Sequence, residues 1–92
     1  MLHDFGQGRY LDPLSIETVV VENDYSDHYV SAFAVIATMR TGTVYKWRFS
    51  YKDNHPVTYE QGRANRDAAE KRAVGYQLLI IKLIRELSEK RG

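Results

Sequence analysis

The spacing of apolar side chains changes once along this chain, and this change limits the fold more than any other feature of the sequence. Before Lys52 the apolar runs are rich in β-branched and aromatic residues, and in TVYKWRFSYK (Thr43–Lys52) an aromatic residue recurs at every second position. Successive side chains of a strand point to opposite faces of a sheet, so this stretch predicts a strand with one aromatic and one basic face. From about Arg63 the pattern becomes helical.

These patterns predict an α+β fold in the order β-β-β-α, a three-stranded antiparallel β-meander with one long C-terminal helix packed on one face. A chain of 92 residues has room for one domain. The predicted boundaries are an irregular N-terminal arm over residues 1–13, the meander over 14–52, a loop over 53–62 and the helix over 63–90. The predicted strands are Leu14–Glu22, His28–Arg40 and Thr43–Lys52.

The turns between these strands predict which residues share a face. A two-residue turn at Thr41-Gly42 places Trp47 opposite Ile36. Directly opposed residues share a face, so one face is expected to form the core under the helix. That predicted core face contains Leu14, Ile16, Val20, Val30, Ala32, Ala34, Ile36, Tyr45, Trp47, Phe49 and Tyr51. The helix is expected to meet it with a stripe made of Ala69, Ala73, Tyr76, Ile80, Leu83, Ile84 and Leu87.

The opposite face of the predicted sheet has no element to cover it except the arm. Its predicted members are Ser15, Glu17, Val19, Val21, Tyr29, Ser31, Phe33, Val35, Ala37, Met39, Val44, Lys46, Arg48, Ser50 and Lys52. Either the arm folds over this face, or the face binds a partner or a second copy, because exposed apolar patches mark contact surfaces. A register error of one residue would exchange the two faces.

The helix has a second apolar stripe on its outer side. Val74, Leu78 and Ile81 lie opposite the predicted core stripe, with Arg85 one turn further on. A helix with its outer side in water does not need these residues, so we expect a dimer or a partner to dock there. Gly75 lies beside them, and close approach of another backbone is one reason for a glycine inside a helix.

Charge is distributed unevenly between the two halves of the chain. Residues 1–45 carry two basic and six acidic side chains, whereas residues 46–92 carry eleven basic and six acidic ones. This asymmetry indicates either an ordinary solvated surface or one that attracts a charged partner. The candidate partner or nucleic-acid contacts are Lys46, Arg48, Lys52, Arg63, Arg66, Lys71, Arg72, Phe33 and Tyr29. A predicted acidic loop carries Glu22, Asp24 and Asp27.

No sequence motif indicates catalysis, so we expect a protein that is not an enzyme and that has no cofactor. The chain has no cysteine, and His3, His28 and His55 lack the spacing of metal ligands, so no metal site is expected either. No long apolar run or signal-peptide pattern is present, which predicts a soluble protein without membrane contact.

The segment that opens the predicted helix, GRANRDAAEK (Gly62–Lys71), resembles the last helix of double-stranded-RNA-binding domains, and the strand order is similar as well. The resemblance spans about residues 14–85. It implies phosphate contacts by Arg63, Arg66 and Lys71, which are the basic positions that match. Two features depart from the family pattern: Asp67 interrupts the basic run, and the first helix of that family has no counterpart here.

The chain as a whole resembles small phage-encoded anti-CRISPR proteins, in particular inhibitors of type I-F surveillance complexes. The resemblance rests on 92 residues, three strands up to RFSYK, and the single helix NRDAAEKRAVGYQLLIIKLIREL. It implies a viral inhibitor that acts in the cytoplasm of a bacterial host and evades its defence. Such a protein docks on Cas subunits, contacts the guide RNA and blocks target-DNA binding. The alternatives are a nucleic-acid-binding regulatory domain and a homodimeric structural protein.

Overall fold

The structure is a computed structural model and describes residues 2–26, 30–52 and 58–91. Its elements in chain order are β1 (His3–Asp4), β2 (Tyr10–Leu11), a 3₁₀ turn (Pro13–Ser15), β3 (Ile16–Ser26), β4 (Val30–Met39), β5 (Val44–Lys52) and α1 (Tyr59–Arg91). Strands β3, β4 and β5 form an antiparallel sheet in that order, and α1 packs on it. The predicted α+β arrangement is confirmed.

The N-terminal arm, expected to be irregular, contains a small antiparallel hairpin of β1 and β2. Its turn needs a left-handed backbone, and Gly6 and Gly8 provide it with φ values of 81° and 72°. The amide of Phe5 donates to the carbonyl of Arg9 at 2.8 Å and closes the turn.

Helix α1 begins at Tyr59, four residues before the predicted start, so the prediction of a loop is wrong for residues 59–62. A capping box explains this start. The amide of Gln61 donates to Thr58 Oγ1 at 3.2 Å, and the Gln61 side chain accepts from the amide of Thr58 at 3.4 Å. The rest of the predicted loop, residues 53–57, lies outside the described residues.

The turn between β4 and β5 has three residues rather than the predicted two. The amide of Gly42 donates to the carbonyl of Met39 at 2.9 Å, and the amide of Met39 donates to the carbonyl of Thr43 at 2.8 Å. Gly42 has a φ of 94°, as a type I turn followed by a left-handed residue requires. The extra residue places Trp47 opposite Val35, and the predicted pairing with Ile36 is wrong.

The hairpin of β3 and β4 also differs from the prediction. Strand β3 continues through the segment expected to be a loop and ends at Ser26, so Glu22 pairs with Ala34 and not with His28. Register shifts beside Glu17 and Asp24 adjust the pairing at both ends of β3. The connecting residues 27–29 lie outside the described residues.

These registers exchange the two faces of β4, and of β3 from Thr18 onward, whereas β5 keeps its predicted orientation. Ile16, which precedes the register shift, is buried in the core as predicted. The side chains that face the helix are Val19, Val21, Phe33, Val35, Ala37, Met39, Tyr45, Trp47 and Phe49. The other face, which we name the open face, carries Thr18, Val20, Glu22, Asp24, Ala32, Ala34, Ile36, Thr38, Val44, Lys46, Arg48 and Ser50. A shift of one residue in a hairpin is sufficient for this exchange because side chains alternate with a period of two.

The core lies between the sheet and α1, and the N-terminal arm joins it from the same side. Ala69, Ala73 and Ile80 of the helix are buried against the sheet, as the predicted stripe requires. The ring of Phe5 lies 6.0 Å from that of Trp47. The arm therefore packs beside the helix and not over the open face.

The hydroxyl of Tyr76 fastens the arm to the helix by donating to the carbonyl of Phe5 at 2.5 Å. Burial raises the pKa of Tyr76, with a further contribution from the nearby charge of Asp4. The hydroxyl therefore stays protonated and able to donate.

Candidate interaction surfaces

The open face is organised around one carboxylate that binds two cations. Asp24 on β3 forms ion pairs with Lys46 and Arg48 on β5, and its Oδ2 lies 2.9 Å from Arg48 Nε. Strand β4 separates β3 from β5, so these ion pairs cross it near Ala32 and Ala34. Both alanines are buried although they lie on the face opposite the helix. Only short side chains on β4 leave room for the crossing.

Lys46 and Arg48 stabilise the ionised form of the Asp24 carboxylate. The hydrogen bond from Lys46, together with the positive charges of Lys46 and Arg48, holds the pKa of Asp24 below its ordinary value. The Asp24 side chain is 18% exposed, whereas those of Lys46 and Arg48 are 47% and 53% exposed. The carboxylate is thus covered, and the two cations present one excess positive charge to solvent.

Apolar side chains flank the cluster on the same face. Val20 and Val44 are 46% and 58% exposed, and Ile36 lies between Val20 and Lys46 in one cross-strand row. Exposed apolar groups beside charges of fixed position form the kind of surface that protein partners recognise.

Side chains protect both edges of the sheet. On the β3 edge, Gln77 Nε2 donates to the carbonyl of Val19 at 2.9 Å. On the β5 edge, Arg9 donates to the carbonyl of Lys46, and its guanidinium lies 5.2 Å from the centre of the Trp47 ring. A strand added at either edge would have to displace one of these contacts, so the open face is more accessible than the edges.

Of the two aromatic residues predicted as contacts, Phe33 lies in the part of the chain that the structure describes, and it does not serve that role. Phe33 is 5% exposed and lies on the helix side of β4, where the guanidinium of Arg66 lies 6.0 Å from its ring centre. The prediction for Phe33 is wrong because the register of β4 is shifted. Tyr29 lies outside the described residues, and Lys52 lies in β5 opposite Val30.

The four basic residues at the start of the helix do not form one patch. Arg72 lies over the ring of Phe49 at 5.8 Å from its centre, and Arg66 lies over a different ring. Arg63 and Lys71 are exposed. At about 100° per residue the four side chains point to all sides of the helix, so they cannot grip one phosphate backbone together.

The predicted acidic loop is part of a strand. Glu22 and Asp24 lie in β3 on the open face, and Asp27 lies outside the described residues. The sequence prediction missed that Asp24 pairs with Lys46 and Arg48. The sequence shows that Lys46 and Arg48 lie on the same face of β5. Their distance from Asp24, however, depends on the registers of the β3–β4 and β4–β5 hairpins.

The outer side of α1 is the second surface. Leu78 is 57% exposed, Arg85 is exposed, and Val74 and Ile81 are half-buried. A shallow groove of about 440 Å³ follows this side of the helix, and its described lining residues are Asp67, Glu70, Lys71, Val74, Gly75 and Leu78. The next helical turn also exposes Leu79, which the sequence prediction did not select.

Comparison of the chain with protein-family models, with curated proteins and with solved structures gives no match. No helix in the described ranges has the length and apolar character that crossing a membrane requires. The same ranges contain no group of three or more acidic, histidine or cysteine side chains placed to hold a metal ion.

Proposed function

We propose that this chain is a non-enzymatic binding protein that inhibits an RNA-guided Cas surveillance complex by docking on it through the open face. The observation that supports a docking role is the cluster of Asp24, Lys46 and Arg48 beside the exposed Val20 and Val44. Ion pairs hold these charges in place, so a partner does not have to order them on binding.

The pairing within the cluster favours a protein surface over free nucleic acid as the first contact. A phosphate group that approached Lys46 or Arg48 would compete with the carboxylate of Asp24, which both cations already contact. A protein surface can instead offer apolar groups to Val20 and Val44, and charged groups of both signs to the cluster.

The choice of target rests on the resemblance to type I-F inhibitors in length and element order. Surveillance complexes hold guide RNA and target DNA in positively charged channels. Glu22, which is exposed on the open face, would face cationic side chains of such a channel, and the one excess positive charge of the cluster would lie toward the guide-RNA backbone. Occupation of the channel would exclude the target DNA.

The test is a DNA-binding assay with a reconstituted type I-F complex that carries its guide RNA. We expect the protein to abolish target-DNA binding near one inhibitor per binding site. Val44→Asp should weaken this inhibition by about tenfold or more, because a carboxylate then replaces an exposed apolar contact. Leu79→Asp is the matched control, since Leu79 is also exposed but lies on the helix. Absence of binding to the complex would contradict the choice of target.

A second assay distinguishes docking on the complex from direct binding to free nucleic acid. Free RNA and DNA duplexes are titrated with the protein at several salt concentrations. We expect no measurable affinity for either duplex. Tight duplex binding that weakens steeply with salt would instead support the nucleic-acid-binding alternative.

A further inference from the structure

The outer side of α1 repeats with the spacing of a helix-pairing seam. Asp67, Lys71, Val74, Leu78, Ile81 and Arg85 follow one another at intervals of four, three, four, three and four residues. This is the heptad spacing that keeps one stripe facing a partner helix. The stripe, which we name the outer seam, lies on the side of α1 away from Ala69, Ala73 and Ile80, with Ile81 at its margin beside β3.

The charges at the two ends of the outer seam are placed symmetrically about its apolar centre. Asp67 precedes Val74 by seven residues, and Arg85 follows Leu78 by seven residues. Neither Asp67 nor Arg85 forms an ion pair with a described residue, although each is exposed. A surface with opposite charges equally far from an apolar centre is complementary to an inverted copy of itself.

We propose that two copies of this chain dimerise through the outer seam with their helices antiparallel. In this register Val74 of each copy packs against Leu78 of the other, and Asp67 of each copy meets Arg85 of the other. The stem of Lys71 lies against Ile81. A parallel pair would instead bring like charges together at both ends of the seam, which is unfavourable.

Gly75 supports a close approach at the centre of this dimer. It is exposed in the middle of α1, and a Cβ atom built on it meets no heavy atom within 4 Å beyond its chain neighbours and the adjacent helix backbone. The fold of a single copy therefore does not require glycine, which is a poor helix former. In the antiparallel register the two Gly75 residues lie near the two-fold axis, where missing side chains let the helices approach. The groove at Val74 and Leu78 then receives the leucine of the second copy.

The dimer leaves the open faces free. Apart from Ile81, which lies beside β3, the outer seam faces away from the sheet, so the two helices form the centre and the sheets lie outside. Each open face then points away from the two-fold axis. The dimer and the proposed inhibitory contact use different surfaces and can be tested separately.

Sedimentation of charge-reversal variants tests the antiparallel register. We expect a concentration-dependent dimer for the natural chain. Asp67→Arg and Arg85→Asp should each raise the dimer Kd by about tenfold or more, because each creates two like-charge contacts per dimer. An equimolar mixture of the two variants should recover most of the affinity, since their seams are complementary. Circular dichroism of each variant confirms the fold.

Two outcomes would overturn the proposal. One is a natural chain that remains monomeric up to a concentration of about 1 mM. The other is a dimer whose affinity the charge reversals leave unchanged, because the interface would then lie elsewhere.

Cysteine cross-linking gives a second, independent test, because the chain contains no cysteine. In a mixture, Asp67→Cys and Arg85→Cys should form a disulfide-linked heterodimer, and the remaining Arg85 and Asp67 of that pair still attract each other. Asp67→Cys alone should not cross-link. Rapid cross-linking of Asp67→Cys with itself would show a parallel pair and would refute the register.

Discussion

Replacement of Gly75 with alanine separates the stability of one copy from the stability of the dimer. Gly75 lies at the exposed centre of α1, and an added Cβ would have no heavy atom within 4 Å beyond its chain neighbours and the adjacent helix backbone. The methyl group therefore gains no contact in a single copy and causes no clash. What remains is helix propensity, which favours alanine over glycine by about 1 kcal/mol.

The monomer measurement uses urea and thermal denaturation at protein concentrations below the dimer Kd. We expect Gly75→Ala to raise the free energy of unfolding by about 1 kcal/mol and the Tm by roughly 4–8 °C for a domain of this size. Ala64→Gly is the reverse control, because Ala64 is also exposed in α1. It should lower the unfolding free energy by a similar amount.

Gly75→Ala should weaken the dimer, although it stabilises each single copy. Two added methyl groups near the two-fold axis would keep the helices apart, so Gly75→Ala should raise the dimer Kd while it stabilises each copy. A destabilised monomer would refute the inference that Gly75 faces open space. An unchanged or lower dimer Kd would refute the close approach of the two backbones.

The remaining predictions test the register, the ion pairs and the arm. Val35→Thr should lower the unfolding free energy by roughly 1–3 kcal/mol, because it buries an unpaired hydroxyl. Ile36→Thr on the open face should lower it by less than about 1 kcal/mol. If urea denaturation gave the larger loss for Ile36→Thr, the observed register would be contradicted. The pKa of Asp24 is lowered in the folded state, so its contribution to stability is full above the ordinary pKa of 3.8 and is lost as the pH falls through the folded value. Asp24→Asn should therefore reduce the loss of unfolding free energy at acid pH. An unchanged loss would contradict the ion pairs. Tyr76→Phe should lower the unfolding free energy by about 1 kcal/mol, because the bond to Phe5 is lost. The pKa of Tyr76 is raised in the folded state, so its contribution is full below pH 10.0 and is lost at higher pH, and the variant should lack this alkaline loss.

The element order and the helix stripe were predictable from the sequence because both depend on local periodicity. Alternation placed Tyr45, Trp47 and Phe49 on one face of β5, and the helical period placed Ala73 and Ile80 on one side of α1. Each assignment needs only the residues of one element. Both agree with the structure.

The faces of β3 and β4 were not predictable in the same way, because they depend on the number of residues in one turn. Thr41-Gly42 fits a two-residue hairpin turn, and it also fits the end of a three-residue turn that starts at Arg40. The left-handed Gly42 is present in both cases, so its presence does not distinguish them. The choice between two and three residues changes the partner of Trp47, and with it the faces on which the side chains of β4 and most of β3 lie.

The end of β3 was missed for a different physical reason. Asn23, Asp24 and Ser26 are turn formers by local preference, yet they continue the strand. The ion pairs of Asp24 with two β5 residues stabilise the strand from outside the segment. The helix start, in contrast, is marked in the sequence by the capping box of Thr58 and Gln61.

The same contacts change the meaning of the charge asymmetry between the two halves of the chain. The asymmetry predicts a surface with separated charges if the two halves of the chain form no ion pairs with each other. On the open face, however, Asp24 from the acidic half lies between Lys46 and Arg48 from the basic half, so folding brings these opposite charges together. Asp67 and Arg85, by contrast, both belong to the basic half and make no ion pair with a described residue. Asp67 and Arg85 are therefore available for an intermolecular contact, whereas the charges of Asp24, Lys46 and Arg48 are ordered within the chain before any partner arrives.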